Sequence, residues 1–147
     1  MTGIDNELPK GFNFFAGLCI VLGAIGLLFN SAFLILSIAP GTLPPKIQAV
    51  APAYWLSAFH LAQDLGNVFG GIKVKKHMNW ARLLIVICNS VGLIEMIYNT
   101  ISSVSSGELQ ITPITISFFL IPVFIDSSII YYFSRQTVRD FVNTSAA

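Results

Sequence analysis

Three carboxylic acids interrupt long segments of this sequence that are otherwise uncharged. They are Asp64, Glu95 and Asp126. A charged acid at the centre of a membrane-inserted helix costs about 2.5–3.5 kcal/mol. We therefore expect these side chains to face the interior of a helical bundle, to be protonated or to find polar partners. Acids and imidazoles in such positions are also typical of proton and cation pathways.

The segment around Asp64 has further polar side chains at helical spacing. Ser57, His60, Asp64 and Asn67 follow one another at i, i+3, i+7 and i+10, with Gln63 beside them. At about 100° per residue these positions form one polar stripe on an apolar helix. Gly66 and Gly70 make a small-xxx-small pair, which lets a second helix approach closely. The pattern predicts a helix that is mostly buried in protein.

The depth of each polar residue follows from its distance to the nearest basic residue along the chain. At about 1.5 Å per residue, Asp64 and Asp126 lie about 13 Å inwards, whereas His60 and Glu95 lie about 20 Å inwards. The matched depths predict a hydrogen bond between His60 and Glu95. They also predict two polar layers, with Asn67 near the level of Asp64 and Asp126.

Two interpretations of these residues stay open. In the first, His60, Asp64, Asn67, Glu95 and Asp126 form a proton or cation relay. In the second, the same side chains make hydrogen bonds between helices and fix their register, each bond being worth about 0.6–2 kcal/mol. The second is the more common use of such residues, and the sequence alone favours it.

The composition is typical of a membrane protein. Of the 147 residues, 54% are hydrophobic and 10% charged, and the mean hydropathy is +0.75. Soluble domains carry about 25% charged residues. A bilayer core of about 30 Å needs about 20 apolar residues in a helix. Four runs meet this length: residues 12–38, 52–72, 80–104 and 112–133.

These runs predict an all-α, integral membrane four-helix up-down bundle that forms one transmembrane domain over residues 1–147. The connections are short, which favours antiparallel neighbouring helices. The first run is much longer than the core of a signal peptide, about 7–15 residues, so we expect it to be a retained span. Residues 135–142, which mix apolar and charged side chains, are expected to continue the fourth helix into the membrane interface.

The basic residues predict the orientation. Seven of the eight Lys and Arg residues fall on the side of both termini and of the second connection, and only Lys46 falls on the other. The positive-inside rule then places both termini in the cytoplasm. Aromatic residues are expected at the two interfaces: Trp80, Tyr131 and Tyr132 on the cytoplasmic side, and Tyr54, Trp55 and Tyr98 on the other.

Other partners are few. Lys73, Lys75 and Lys76 could contact anionic lipid headgroups, at about 1 kcal/mol per charge. A net charge of +1 gives no basic field for nucleic acid. A single histidine within the spans and two cysteines, Cys19 and Cys88, are too few for a haem or metal site. We therefore expect no cofactor, no metal and no catalytic residues.

Two short stretches resemble motifs of a known group of proteins. Residues 79–84 read NWARLL and residues 131–141 read YYFSRQTVRDF. They are similar to the "WAR" and "YxLxRpxVkxyF" patterns of small uncharacterised four-span bacterial membrane proteins, although Gln136 stands where proline is usual. The resemblance implies four spans and a bacterial inner membrane, and it implies no activity or site residues.

The sequence thus predicts a multi-pass, non-enzymatic protein of the inner (plasma) membrane. Its expected role is association, either as an accessory subunit beside other membrane proteins or with further copies of itself. The alternative is a small proton- or cation-coupled transporter or channel that uses Asp64, Glu95 and Asp126, with His60 as a relay.

Overall fold

The computed structural model describes residues 8–38, 54–107, 109 and 111–145, and within these ranges it contains helices and no strands. The five helices are α1 (Phe12–Ile38), α2 (Tyr54–Val74), α3 (Asn79–Ser105), α4 (Pro113–Ser134) and α5 (Gln136–Ser145). The first four match the predicted runs to within two residues at each described end, which confirms the all-α prediction. The first connection, Lys46 and the predicted start of the second run lie outside the described residues.

Local sequence explains where the helices begin and end. Pro113 occupies the first turn of α4, where a missing N–H has no cost. Thr112 and Thr115 cap this helix reciprocally, because the backbone N–H of each donates to the side-chain hydroxyl of the other at 2.8 and 3.2 Å. At the end of α2, His77 adopts a left-handed conformation with φ 58°, and the chain reverses into α3.

Apolarity differs among the long helices. Among the described helices, α1, α3 and α4 are long and apolar enough to cross a membrane. The 21-residue α2 falls short because its polar stripe lowers its hydropathy.

The long helices pack on their neighbours in chain order. α1 packs along α2, α2 along α3 and α3 along α4, whereas α1 and α4 meet over a much shorter length. The contact between α1 and α4 includes stacked rings of Phe15 and Tyr132, with centroids 4.3 Å apart. Successive helices run antiparallel, as the predicted short connections require.

Ring contacts gather several parts of the chain at one end of the molecule. The ring of Phe12, at the start of α1, stacks on His77 of the α2–α3 turn with centroids 6.3 Å apart. Phe141 of α5 lies 4.9 Å from the same histidine ring. We call this the basic end, because it has seven of the eight Lys and Arg residues: Lys10, Lys73, Lys75, Lys76, Arg82, Arg135 and Arg139.

The tightly packed core lies in the half of the molecule next to the basic end. Its buried hydrophobic residues are Phe12, Ala16, Cys19, Val74, Ala81, Ile85, Ile129, Tyr132, Phe133, Val138 and Val142. In the other half, no hydrophobic side chain of the described residues is fully buried. The two halves of the helix assembly therefore differ in packing, one closed and one loose.

The structure corrects one expectation about the basic end and adds two buried contacts there. The fourth helix does not continue, since Arg135 is extended (φ −61°, ψ 141°) and α5 starts as a separate helix. Arg82 is only 7% exposed, and its Nη1 donates to the carbonyl of Phe133 at 2.8 Å near the end of α4. Tyr132 is buried at the basic end, and its hydroxyl donates to the carbonyl of Lys10 at 3.0 Å. The two stretches that resemble a known group thus touch each other.

Glycines permit the closest helix contacts. A Cβ added to Gly70 would lie 2.8 Å from Ile85 Cγ1 of α3, and one on Gly66 would lie 2.5 Å from Cys88 Sγ. The predicted small-xxx-small contact is therefore present. Gly71 faces α1 instead, and its added Cβ would lie 2.8 Å from the carbonyl oxygen of Ala16. Gly17 faces open space, with nothing within 4 Å.

We predict that Gly71→Ala destabilises the protein. The added methyl group meets a backbone oxygen, so α1 and α2 must move apart, at a cost of about 1–3 kcal/mol. The free energy of unfolding in detergent measures this effect. Gly17→Ala is the matched control, and it should be neutral or slightly stabilising because alanine favours helix over glycine by about 1 kcal/mol. Equal stabilities of the two variants would contradict the close contact between Gly71 and α1.

Candidate functional site

A cavity of about 320 Å³ lies where the four long helices face one another. Each of α1, α2, α3 and α4 contributes to its wall. Part of the wall is apolar, and the polar part is formed by Gln63, Asp64, Asn67, Asn89 and Asp126. The predicted lower layer of Asp64, Asn67 and Asp126 is thus brought to one cavity, which we call the central cavity.

Asp64 is held by α1. Its carboxylate lies against Gly26, where an added Cβ would come within 2.5 Å of Asp64 Cγ. Asn30, one turn further along α1, donates from Nδ2 to Asp64 Oδ2 at 2.8 Å. Gly26 therefore provides room for the acid and Asn30 provides its donor. This is the bond to a neighbouring helix that an amide in an apolar span requires.

Asn67 and Asn89 join α2 to α3 at the cavity wall. Asn89 Nδ2 donates to Asn67 Oδ1 at 2.8 Å and to the carbonyl of Ile85 at 2.7 Å. Asn89 is buried, at 5% exposure. Because both amides are held in place, this pair forms a rigid polar wall rather than a mobile group.

Asp126 differs from the other acids. It lies on α4, one turn after Pro122, and both residues line the central cavity. The proline has no N–H, which leaves the carbonyl of Phe118 without its helical donor. Asp126 makes no hydrogen bond or ion pair with any residue that the structure describes. Its carboxyl group faces the cavity that it shares with Asp64.

A second cavity, of about 290 Å³, lies between α2 and α3 on the side away from the basic end. His60 and Glu95 line it, and His60 Nε2 lies 2.8 Å from Glu95 Oε1. The predicted hydrogen bond is therefore present. The two side chains are 32% and 18% exposed. The predicted upper layer is thus a partly accessible imidazole–carboxyl pair.

Gln63 and Gly92 line both cavities. The Nε2 group of Gln63 is buried and has no hydrogen-bond partner within the described ranges. An added Cβ on Gly92 would lie 3.6 Å from this nitrogen. In the sequence, Gln63 stands out only as a neighbour of the polar stripe, and Gly92 does not stand out by itself. The signal was present on α3, where Asn89, Gly92 and Glu95 recur every three residues.

The remaining candidate residues lie outside these cavities. Ser57 is fully buried, and its hydroxyl has no partner among the residues described. Lys73 Nζ lies 5.2 Å from the ring centroid of Phe69, in a cation–π contact. Lys75 and Lys76 are exposed at the basic end. The described residues contain no group of three or more side chains that could hold a metal ion.

Comparison with known proteins adds nothing to this site: no family model matches the chain, and no curated protein or solved structure is significantly similar to it. The interpretation of the cavities therefore depends on their own chemistry. The resemblance of residues 79–84 and 131–141 to four-span bacterial proteins stays a prediction.

We predict that Asn30→Ala destabilises the protein, because it removes the only described donor to the Asp64 carboxylate. Leaving a buried polar group unsatisfied costs about 1–3 kcal/mol. Asn99→Ala, on an exposed position of α3, serves as the control. In a double-mutant cycle with Asp64→Leu, the double variant should lose less stability than the sum of the losses in the two single variants. Additive losses would show that the hydrogen bond does not stabilise the fold.

Proposed function

We propose that this protein is a four-span protein of the bacterial inner membrane that moves protons or small cations through its helix bundle. The observation that supports this most strongly is Asp126, an acid without a described protein partner. It faces a cavity shared with Asp64, and Gln63 links that cavity to the His60–Glu95 pair.

The direction of the helices supports four spans. α1 and α3 both start at the basic end, as the contact of Phe12 with His77 indicates. If α1 and α3 cross the membrane from the same side, the chain must return between them, and α2 is the helix that returns. Its polar stripe is sheltered by α1 and α3 through the Asn30–Asp64 and Asn67–Asn89 bonds. Such sheltering lets a helix of modest apolarity lie within a membrane.

The basic end is proposed to face the cytoplasm, in accord with the positive-inside rule. α5 is proposed to cover the bundle at that end with its polar face towards water, since Val138 and Val142 are buried in the core while Arg139 and Asp140 are exposed. The exposed Lys75 and Lys76, with Lys73 beside Phe69, are proposed to contact anionic headgroups there.

The chemistry of the cavities supports transport more than packing alone. A side chain that only fixes helix register needs a partner on another helix, and Asp126 has none among the described residues. The central cavity has room for several water molecules, which occupy about 30 Å³ each in the liquid. An imidazole can accept a proton on one nitrogen and release one from the other, so His60 beside Glu95 suits the entry to such a path.

Association with other membrane subunits, or with further copies of this chain, is the second candidate function. Its support is that three polar pairs join different helices: Asn30–Asp64, Asn67–Asn89 and His60–Glu95. Pairs of this kind stabilise a fixed arrangement of helices. Both candidate functions are non-enzymatic.

We predict a proton or Na⁺ flux in liposomes reconstituted with the purified protein. Asp126→Asn and Glu95→Gln should each reduce this flux about tenfold or more, because amides form hydrogen bonds but cannot exchange protons in this way. Asp140→Asn is the matched control, since Asp140 is 57% exposed on α5, away from the cavities. A fluorescent pH indicator and a Na⁺ indicator inside the liposomes measure the two fluxes.

The outcomes separate the two candidate functions. Flux no greater than in empty liposomes would contradict transport. Flux that survives both substitutions would show that Asp126 and Glu95 are not part of the path. If association is the function, the amide variants should keep their yield and their oligomer size, because Asn and Gln still form hydrogen bonds between helices.

A further inference from the structure

We infer that, in the conformation that the structure shows, water and ions reach the central cavity from the end opposite the basic end, through a constriction between Gln63 and Gly92, and that Gly92 limits the size of what enters. This deepens the proposed function and rests on it for the membrane setting. It names the route, the direction of access and the size class of the ion.

Cavities follow one another from the centre of the molecule towards the far end. The central and second cavities share Gln63 and Gly92. A third cavity, of about 230 Å³, shares Met96 and Thr100 with the second. It lies where α3 ends and α4 begins, since Leu109 and Thr115 also line it. The three spaces thus form a series along α3.

Towards the basic end, the described lining of the central cavity stops at Cys19, Asn89 and Ile129. The next layer towards that end is formed by Ile85, Ile129 and Phe133, each at most 1% exposed. The stacked rings of Phe15 and Tyr132 lie beside this layer. A layer of buried apolar side chains disfavours water and ions, so passage across it requires a change of conformation. We call these five residues the apolar seal.

The constriction is narrow. A Cβ added to Gly92 would lie 3.6 Å from Gln63 Nε2 and 4.0 Å from its Oε1, which is ordinary van der Waals contact. A methyl group therefore fills the remaining gap, and a larger side chain closes it. With glycine, the gap suits a proton carried by water or a small monovalent cation, and it is too small for an organic cation. The amide of Gln63 provides both a donor and an acceptor to whatever passes.

Cys88 provides a probe for this route, because it lines the central cavity and lies on the basic-end side of Gly92 along α3. Ag⁺ is a small monovalent cation that binds thiolates, and it protects a thiol from later alkylation. In Cys19→Ser protein, Cys88 is the only thiol. We expect Ag⁺ in chloride-free buffer to protect Cys88 in right-side-out membrane vesicles but not in inverted ones. A methanethiosulfonate reagent with a quaternary ammonium group should react from neither side.

The matched variants test the constriction itself. Gly92→Val should slow protection by Ag⁺ about tenfold or more, because pore radius controls entry. Gly17→Val, a glycine substitution that faces open space, should leave the rate unchanged. Gly92→Ala should slow it less than valine does, and its methyl group fits without a clash. The yield and elution volume of the valine variant show whether it folds. If it does not fold, the alanine variant tests the constriction.

Three results would overturn the inference: equal protection from both sides, an unchanged rate in the Gly92 variants, or reaction with the bulky reagent. Gln136→Cys, at an exposed position of the basic end, reports the orientation of the vesicles independently. Protection of Cys88 without any flux in liposomes would refute transport and leave the route standing. Flux with unprotected Cys88 would support transport and refute the proposed route.

Discussion

A carboxyl group that leaves water must receive a donor, a neutralising proton or enclosed water in exchange, and this requirement organises the four long helices. A charged acid without such compensation costs about 2.5–3.5 kcal/mol in a membrane. The partners of Asp64 and Glu95 come from other helices: Asn30 of α1, with Gly26 making room, and His60 of α2. The acids therefore determine which helix faces lie together. Asp126 has a cavity with room for water in place of a protein partner among the described residues. Helix packing alone therefore does not explain this residue.

The two ends of the helix assembly differ in packing. One end is tightly packed and stabilises the fold, and the other is loosely packed and contains the cavities. Near the basic end, buried rings and aliphatic side chains close the core, and Arg82 binds the carbonyl of Phe133 at the end of α4. A cation near a helix C-terminus also interacts favourably with the helix dipole. Towards the far end the side chains pack loosely around polar groups and leave neighbouring cavities that share lining residues. A bundle that was tightly packed throughout would leave no room for water beside Asp126, and one that was loose throughout would lack a core.

Much of this arrangement could be predicted from the sequence, because it depends on run length and helical spacing. The bounds of the long helices and the His60–Glu95 bond are of this kind. The expectation that the fourth helix continues past residue 134 was wrong, and contacts between distant residues were not predicted. Arg82 bonds to a carbonyl 51 residues away, and neither proline nor glycine marks the break at Arg135. The position of Gly92 beside Gln63 depends on how α2 and α3 are rotated against each other, which no local pattern records.

The central claim is that water reaches two acids in the middle of the helix bundle. Solid-state NMR of the protein in lipid bilayers, with ¹³C-labelled aspartate, isoleucine and valine, measures the transfer of magnetisation from water protons to individual carboxyl and methyl carbons. We expect rapid transfer to Asp126 and Asp64, approaching that of the exposed Asp140. Transfer to Asp126 and Asp64 as slow as that to the buried methyl groups of Ile85 and Val142 would show a dry interior and contradict the account.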